Sequence, residues 1–343
     1  MFEGRNATPV SRWHLLPVCV ALILSVQAFS QGLPPAFPSQ DGSKNYAITA
    51  DVNLVVLPVT VKDRSGHFVS GLEAANFRIY ENGKPQKIAL FRNDDVPVAV
   101  GLVVDHSASM AARQAEVITG ARAFVQESNP QDREFVVNFS DTVLFGLPAG
   151  MEFTSKTEDL EAALSAATGG RTALYDAVAA ALEHLQKDPL NKKVLLLISD
   201  GGDNASHQNF ANVLRRAQAT NAIIYAIGLF DEHSADQNPN VLKKLAAATG
   251  GQAYFPQSAA DLAGICRHIA AEIRHQYTLG YSPENAGGAG YRKVRVVATG
   301  TDGKKLLVRT RSGFYFTPSD SRSQTGLSEC CRNADDRYSL RFR

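Results

Sequence analysis

The chain has few of the residues that stabilise small secreted domains or bind soft metals. Its 343 residues include 4 cysteines, 3 methionines and 1 tryptophan. Cys19 lies in the N-terminal apolar segment, Cys266 lies on an apolar helical face, and Cys330 and Cys331 are adjacent in a polar stretch. This usage excludes a dense disulfide framework and predicts a buried Cys266, while a bridge between the two regions stays an open alternative.

An excess of charge of one sign is also missing. The sequence has 35 Lys and Arg against 34 Asp and Glu, for a formal net charge of +1. It has no long basic run with interleaved aromatic residues and no nucleic-acid-binding motif, so we expect no nucleic acid partner. The hydrophobic share of 44% and the charged share of 20% are ordinary for a globular protein.

Long hydrophobic runs are absent except near the N-terminus. Arg5 and Arg12 precede the apolar run LLPVCVALILSV, and the small residues Ala28 and Ser30 follow it. This pattern predicts a secretory signal peptide over residues 1–30, with a retained anchor as the alternative, because the run is shorter than the roughly 20 residues of a spanning helix. We therefore expect an exported protein, periplasmic or extracellular or on the cell surface, without a membrane span in the mature chain.

Composition and periodicity divide the remaining chain into five segments. These are a linker rich in Pro, Ser and Gly (31–48), an N-terminal β region (49–95), an α/β domain (96–275), C-terminal β strands (276–316) and a disordered tail (317–343). In the α/β segment, apolar runs such as VPVAVGLVV alternate with amphipathic stretches such as TALYDAVAAALEHLQK. This alternation predicts a doubly wound fold with a mostly parallel sheet. The flanking strands predict either one β domain built from both flanks or separate small elements.

Local turn signals add more detailed expectations. FRIYE and KIALF surround ENGKPQ, whose Asn82-Gly83 suits a hairpin, and YRKVRVVATG and KKLLVRTRSGFYF surround the turn TDG. A helix is expected from about Ser109 to Glu127. Tyr277 and Tyr281 are expected to pack in the core or the sheet.

Oxygen-bearing side chains lie directly beside three predicted elements of the α/β domain. Asp105, Ser107 and Ser109 come directly after VPVAVGLVV, Thr172 precedes the helix that begins ALYD, and Asp200 follows the run VLLLIS. Because loops at the carboxyl ends of parallel strands meet at one edge of the sheet, these side chains are expected to converge. Carboxylate and hydroxyl oxygens suit a hard cation, which favours Mg²⁺, with Mn²⁺ or Ca²⁺ as alternatives.

Each of these residues has a simpler explanation on its own. Ser109, Thr172 or Asp105 could cap a following helix, and Asp200 before two glycines is a common turn. All five together, in order and on three loops, favour a metal site. Asp203 is predicted either to contact the ligands rather than the ion or to be a solvated charge of the loop. His106 and His207 are predicted to be exposed polar residues.

The pattern Asp105-x-Ser107-x-Ser109, then Thr172, then Asp200-Gly201 resembles a von Willebrand factor type A domain over roughly residues 96–275. The metal-ion-dependent adhesion site of that family has these five positions. The flanking stretches VTVKDRSGHFVSGLEAANFRIYENGKPQKI and YTLGYSP resemble segments that accompany this domain in exported bacterial proteins. The resemblance implies that the hydroxyls bind the ion directly or nearly so, that the aspartates bind it directly or through water, and that an open position accepts a carboxylate.

The leading hypothesis is a non-enzymatic adhesion module that binds another protein, or a cell-surface polymer, through an acidic group of that partner. One alternative is an assembly component of a cell-envelope complex with a structural metal. The other is a metal-dependent hydrolase with Ser107 or Ser109 as nucleophile. The hydrolase is disfavoured because the sequence around these serines lacks the Gly-x-Ser-x-Gly elbow and the chain has no Gly-rich phosphate loop with its Lys.

Overall fold

The computed structural model describes residues 54–230, 236–283 and 288–316. All of them belong to the unit Asp51–Arg343. The predicted signal peptide (1–30), linker (31–48) and tail (317–343), with Cys19, Cys330 and Cys331, lie outside the described residues and stay predictions. Among the residues that are described, no helix has the length and apolar character needed to cross a membrane.

Fourteen strands and six α-helices make up the described structure. The strands are β1 (Val55–Lys62), β2 (Phe77–Glu81), β3 (Lys84–Gln86), β4 (Leu90–Arg92), β5 (Ala99–Asp105), β6 (Arg133–Phe139), β7 (Val143–Phe145), β8 (Lys193–Ser199), β9 (Ala222–Gly228), β10 (Ala253–Tyr254), β11 (Tyr277–Tyr281), β12 (Gly290–Ala298), β13 (Leu307–Arg309) and β14 (Gly313–Phe316). The helices are α1 (Gln114–Gln126), α2 (Thr157–Ala163), α3 (Leu174–Gln186), α4 (Phe210–Ala219), α5 (Pro239–Thr249) and α6 (Ala259–Arg274).

The central sheet has six strands in the order β10-β9-β8-β5-β6-β7. All neighbouring pairs are parallel except β6 and β7, so β7 is an antiparallel edge strand. Every residue of β5, β8 and β9 is buried, as near-continuous apolar runs require when both faces of a sheet are covered. The predicted α/β fold with a mostly parallel sheet is confirmed.

The helices form two groups around this sheet. Helix α1 packs against α6, whereas α4 packs against both α3 and α5. Gly120 permits the close approach of α1 and α6, because a Cβ at this position would lie 2.7 Å from Cγ of Leu262. Helix α5 ends at Gly250, whose φ of 86° is the left-handed conformation expected of a C-terminal glycine cap.

Strands from both sides of the α/β domain pair with each other in two antiparallel sheets. Their orders are β13-β1-β11-β4 and β14-β12-β2-β3. These sheets enclose a second hydrophobic core, which includes Phe77, Tyr277 and Tyr281. The interpretation that one β unit is built from both flanks is therefore confirmed, and the two tyrosines pack in its core as predicted.

One predicted hairpin is wrong in its strand partner, and the other is confirmed only in part, for the GFYF end of its second segment. The turn at Asn82 and Gly83 has φ values of 48° and 84° and joins β2 to β3, not to the KIALF segment. The apolar residues of KIALF instead form β4, which pairs with β11 and places Phe91 5.7 Å from Phe77 between ring centroids. The segment after the TDG turn divides into β13, which pairs with β1, and β14, which pairs with β12.

A buried polar cluster joins the α/β domain to the β unit. The carboxylate of Glu272 on α6, with 0% exposure, accepts hydrogen bonds from the Tyr225 hydroxyl at 2.6 Å and the Thr60 hydroxyl at 3.1 Å. Nζ of Lys62 on β1 lies 3.4 Å from its other oxygen, and Arg309 on β13 also contacts the carboxylate. One buried charge thus connects α6 and β9 to two strands of the β unit.

We expect the stability of the protein to depend on pH because of Glu134 on β6. It is buried, its Oε2 has no hydrogen-bond partner in the described part of the chain, and burial raises its pKa from 4.5 to about 8. Because the folded carboxyl holds its proton more tightly than the unfolded one, the stability should fall as the pH rises from 4.5 through about 8. Glu134→Gln should remove this loss and exceed the wild type by roughly 5 kcal/mol at about pH 9 in urea unfolding. Equal pH profiles for the two proteins would contradict the prediction.

Candidate functional site

Two loops that follow strands β5 and β8 of the central sheet and the loop between α2 and α3 are joined by main-chain hydrogen bonds. The N–H of Ala108 donates to the carbonyl of Gly170 at 3.1 Å, and the N–H of Gly169 donates to the carbonyl of His106 at 2.8 Å. The N–H groups of Asn204 and Ala205 both donate to the carbonyl of Thr172 at 3.0 Å. The loops that carry the five predicted ligands are therefore adjacent at the carboxyl-terminal edge of the sheet, as the sequence predicts.

Asp105 ends β5 with 0% exposure, and its two oxygens are held by the loop that follows it and by the end of β8. Oδ1 accepts from the N–H of Ser107 at 2.9 Å, and Oδ2 accepts from the hydroxyl of Ser199 at 2.6 Å. Burial raises the pKa of Asp105 to about 6, its hydrogen bonds oppose this rise, and the charge of nearby Asp200 adds to it. Two carboxylates therefore lie close enough to repel each other.

Asp200 stands at the end of β8 with 2% exposure and is fixed by the glycines that follow. Its Oδ1 accepts from the N–H of Gly202 at 2.9 Å. Gly201 has a φ of 80°, and a Cβ there would lie 2.4 Å from the carbonyl oxygen of Asn238, so only glycine fits this turn. In the described residues, neither Asp105 nor Asp200 forms an ion pair, which leaves two buried carboxylates without a protein counter-charge.

Three hydroxyl groups belong to the same loops. The hydroxyls of Ser107 and Ser109 lie 3.1 Å apart. The Thr172 side chain is buried, and its hydroxyl has no hydrogen-bond partner among residues 54–230, 236–283 and 288–316. This hydroxyl is not one of the buried polar atoms that lack a partner, so it is open to solvent, where water or a ligand can reach it.

The alternative that Ser109 and Thr172 are helix caps is wrong. Ser109 lies inside a 3₁₀ turn, Ala108–Arg113, and α1 begins only at Gln114, which also corrects the predicted start of this helix. Helix α3 begins at Leu174 and receives its side-chain hydrogen bonds from another loop. The hydroxyl of Ser206 accepts from the N–H of Asp176 at 3.1 Å, and Oδ1 of Asp203 accepts from the N–H of Tyr175.

Asp203 lies beside the site rather than in its centre. Its Oδ1 accepts from the N–H of Tyr175 at 3.1 Å and from the hydroxyl of Ser206 at 2.5 Å. Burial raises its pKa, while these hydrogen bonds oppose the rise. The carboxylate therefore fixes the start of the helix that follows Thr172, and a role in orienting the ligands stays a prediction.

His106 is buried, which contradicts the expectation of an exposed residue. Its Nε2 lies 3.0 Å from Oδ1 of Asn138, and its Nδ1 lies 2.9 Å from Nε2 of Gln114. Burial lowers its pKa, while its hydrogen bond to Asn138 opposes this change. His207 is exposed as expected, and its Nδ1 lies 3.0 Å from Oδ2 of Asp176.

Two contacts at the site were not predicted from the sequence. Ser199 belongs to β8, and its hydroxyl accepts from the N–H of Gly201 at 3.0 Å while donating to Asp105, which connects two of the three loops. Arg171, directly before Thr172, is exposed, and its Nε donates to Oδ1 of Asp141 at 3.2 Å. Neither contact has a signal in residue spacing, because the partners belong to different loops.

The donor set fits a hard divalent cation. It comprises the carboxylates of two aspartates and three neutral hydroxyls, which are oxygen ligands of the kind that Mg²⁺ and Ca²⁺ accept. No group of three or more His, Cys, Asp or Glu side chains that could hold a metal occurs in the described residues, so an ion here would depend on the hydroxyl groups. Ala108, Gly170 and Arg171 are exposed and Ser109 is half-buried, so the loops border solvent.

Comparison with known proteins identifies the central domain. Residues 100–267 match the von Willebrand factor type A domain family, which is 168 of the 343 residues. No curated protein sequence matches the chain.

Several solved structures are similar to the chain. A von Willebrand factor type A protein from Catenulispora acidiphila is 14% identical, with 71% of this chain and 74% of that chain covered and a TM-score of 0.47. The von Willebrand domain of the type V pili tip protein Mfa5 from Porphyromonas gingivalis is 16% identical, with 52% and 95% covered and a TM-score of 0.44. Proximal thread matrix protein 1 from the mussel byssus, with a zinc-occupied adhesion motif, is 19% identical, with 56% and 49% covered and a TM-score of 0.46.

Proposed function

Because the chain carries a von Willebrand factor type A domain, we propose that this domain binds a partner protein through a divalent cation of the magnesium type. The residues that would hold the ion are Asp105, Ser107, Ser109, Thr172 and Asp200. The observation that supports this most is the pair of buried, mutually repelling carboxylates, which have no cationic side chain beside them in the described residues. Buried charges require a compensating charge, and a bound cation would provide it.

The neutral hydroxyls support binding rather than a purely structural role. A divalent cation supplies a positive centre to which an acidic group of a partner can bind. Two carboxylates and three hydroxyls neutralise such a centre less than four or five carboxylates would. The hydrogen bonds between the loops hold these residues in place before binding, which limits the ordering cost of the contact. We further propose that the protein acts after export, at the cell surface or in the periplasm.

An assembly component with a structural metal is the second candidate function. The burial of Asp105 and Asp200 favours it, because a deeply placed ion contributes to folding stability whether or not a partner binds. It differs from the first candidate in one measurable respect. A structural ion would have no coordination position open to an external carboxylate, whereas an ion of either kind would raise the unfolding temperature.

Hydrolysis has less support. The hydroxyls of Ser107 and Ser109 contact each other, and the ring of His106 is placed between Asn138 and Gln114. Within the described residues, neither serine has the hydrogen-bonded base that would activate it as a nucleophile. We therefore propose a binding module and not an enzyme.

Titration of the full chain with Mn²⁺ tests the proposal, because the water-proton relaxation of bound Mn²⁺ reports how many waters the ion retains. We expect a single site per chain, and we expect added acetate to lower the relaxation by displacing a bound water. Mn²⁺ binding that is insensitive to acetate would favour the structural role. No Mn²⁺ binding would contradict both.

Thr172→Val provides the sharpest variant, because it removes only the hydroxyl that lacks a partner. We expect the affinity for Mn²⁺ to fall by about tenfold, whereas the unfolding temperature of the metal-free protein should not fall, since no protein hydrogen bond is lost. Thr119→Val, on an exposed face of α1, is the matched control and should bind Mn²⁺ like the wild type. Equal affinity in both variants would remove Thr172 from the ligand set.

A further inference from the structure

The outward face of the sheet β14-β12-β2-β3, which we call the tyrosine face, has an unusual composition. Alternate residues of each strand point away from the core of the β unit. The outward positions are Arg78, Tyr80, Pro85, Tyr291, Lys293, Arg295, Val297, Gly313 and Tyr315. Three of these residues are cations, three are tyrosines and none is acidic.

Cross-strand pairing arranges the tyrosines and cations in contact with each other. Tyr291 on β12 is opposite Tyr315 on β14, and their ring centroids lie 5.3 Å apart at an interplanar angle of 64°. Arg295 is opposite Tyr80, and its guanidinium lies 4.2 Å from the centre of that ring. These neighbours are far apart in sequence, so the linear chain gives no sign of the cluster.

Gly313 allows one of these rings to lie across its neighbouring strand. A Cβ at Gly313 would come within 2.6 Å of Cζ and of the hydroxyl oxygen of Tyr291. The Tyr291 hydroxyl also lies 3.3 Å from the hydroxyl of Ser312. The ring is therefore held in position before any ligand binds, which lowers the entropic cost of using it for recognition.

The positive charge of the tyrosine face is not neutralised. Arg78, Lys293 and Arg295 are exposed, and in the described part of the structure none of them forms an ion pair. The whole chain has a net charge of only +1, so this is a local concentration rather than a general property. A surface with three cations and no carboxylate attracts an anionic partner.

The ring geometry decides between classes of anionic polymer. Single-stranded nucleic acids require exposed ring faces on which bases stack. Here Arg295 covers a face of Tyr80, and Tyr291 and Tyr315 contact each other at a steep angle. Phenolic hydroxyls beside cationic groups suit sugar hydroxyls alternating with carboxylates.

We propose that the tyrosine face binds an acidic polysaccharide, with Arg78, Lys293 and Arg295 pairing with its carboxylates and the tyrosine hydroxyls hydrogen-bonding to its sugar rings. This second contact surface belongs to the β unit and not to the metal site. It therefore does not depend on the proposed ion, and binding should persist in EDTA.

Affinity electrophoresis of the full chain in EDTA tests this, with polygalacturonate as the acidic polysaccharide, dextran as the neutral one and oligothymidylate as the nucleic acid. We expect retardation by polygalacturonate alone, weakening as salt is added. The double variant Lys293→Gln/Arg295→Gln should bind about tenfold more weakly. Arg215→Gln/Arg267→Gln, which removes two exposed helical cations from the α/β domain, should bind like the wild type.

Several outcomes of this experiment would overturn the proposal. These are no retardation by polygalacturonate, an equal loss in the control double variant, and tighter binding of oligothymidylate with the same dependence on Lys293 and Arg295. Because Arg295 packs on Tyr80, circular dichroism must show that the variant is folded. The double variant Arg78→Gln/Tyr315→Phe tests two other residues of the tyrosine face independently. If this variant binds polygalacturonate like the wild type, the tyrosine face is not the binding site.

Discussion

Asp200→Asn should weaken Mg²⁺ or Mn²⁺ binding by at least about 100-fold, because it removes one of the two charges of the proposed donor set. The amide can still accept the hydrogen bond that the Gly202 N–H donates to Oδ1, so the local turn should be retained. The charge of Asp200 contributes to the raised pKa of Asp105, and its removal relieves that repulsion. The metal-free variant should therefore be as stable as the wild type or more stable.

Opposite changes in metal affinity and stability would distinguish a ligand from a structural residue. Calorimetric titration with Mn²⁺ measures the first quantity, and thermal unfolding in EDTA measures the second. Asp302→Asn removes a carboxylate from an exposed turn of the β unit and is the matched control. If Asp200→Asn lowered the stability in EDTA while binding Mn²⁺ normally, Asp200 would be a structural residue and the proposed site would lose a necessary ligand.

Glu272→Ala should lower the free energy of unfolding by about 3–5 kcal/mol, because it breaks a buried ion pair from one side. Lys62 and Arg309 would lose their shared counter-charge. The hydroxyls of Thr60 and Tyr225 would lose their acceptor in a site that water does not reach.

Guanidinium unfolding of the variant measures this effect, and Glu183→Ala is the matched control. Glu183 is also a helical glutamate with a nearby arginine, but its side chain is 77% exposed and the closest approach to Arg216 is 3.8 Å. We expect the control to change stability by less than about 0.5 kcal/mol. A Glu272→Ala protein that unfolds at the same denaturant concentration as this control would show that the cluster contributes little.

The two proposed contact surfaces belong to different parts of the molecule. The candidate metal site lies at the carboxyl-terminal edge of the central sheet, whereas the tyrosine face belongs to the β unit. The Glu272 cluster connects these two parts through α6, β1 and β13. A protein with this arrangement is suited to hold an acidic polymer with one part and a protein partner with the other.

The positions of the candidate ligand residues could be predicted from the sequence because their arrangement is mostly local. Asp105, Ser107 and Ser109 are two residues apart and follow a strand whose apolar run is unmistakable. Thr172 and Asp200 likewise stand directly beside a helix and a strand that the periodicity reveals. In a parallel sheet, such positions converge whatever the remaining sequence does.

The environment of these residues was less predictable. The sequence predicted an exposed His106, yet it is buried between Asn138 and Gln114. It gave no sign that the Ser199 hydroxyl donates a hydrogen bond to Asp105. It also gave no sign that Asp203 and Ser206, and not Thr172, accept hydrogen bonds from the first N–H groups of α3. These contacts depend on how loops from separate parts of the chain pack together.

Residue patterns within a few turns of helix or strand were enough to establish the element order, the parallel sheet and the identity of the candidate ligands, since backbone preference and side-chain periodicity act over short distances. Tertiary packing alone decided that β4 pairs with β11, that β13 pairs with β1, and that three tyrosines and three cations share one face. Strand partners from opposite flanks are chosen by the total burial of both segments, and neither segment's own preferences contain that information.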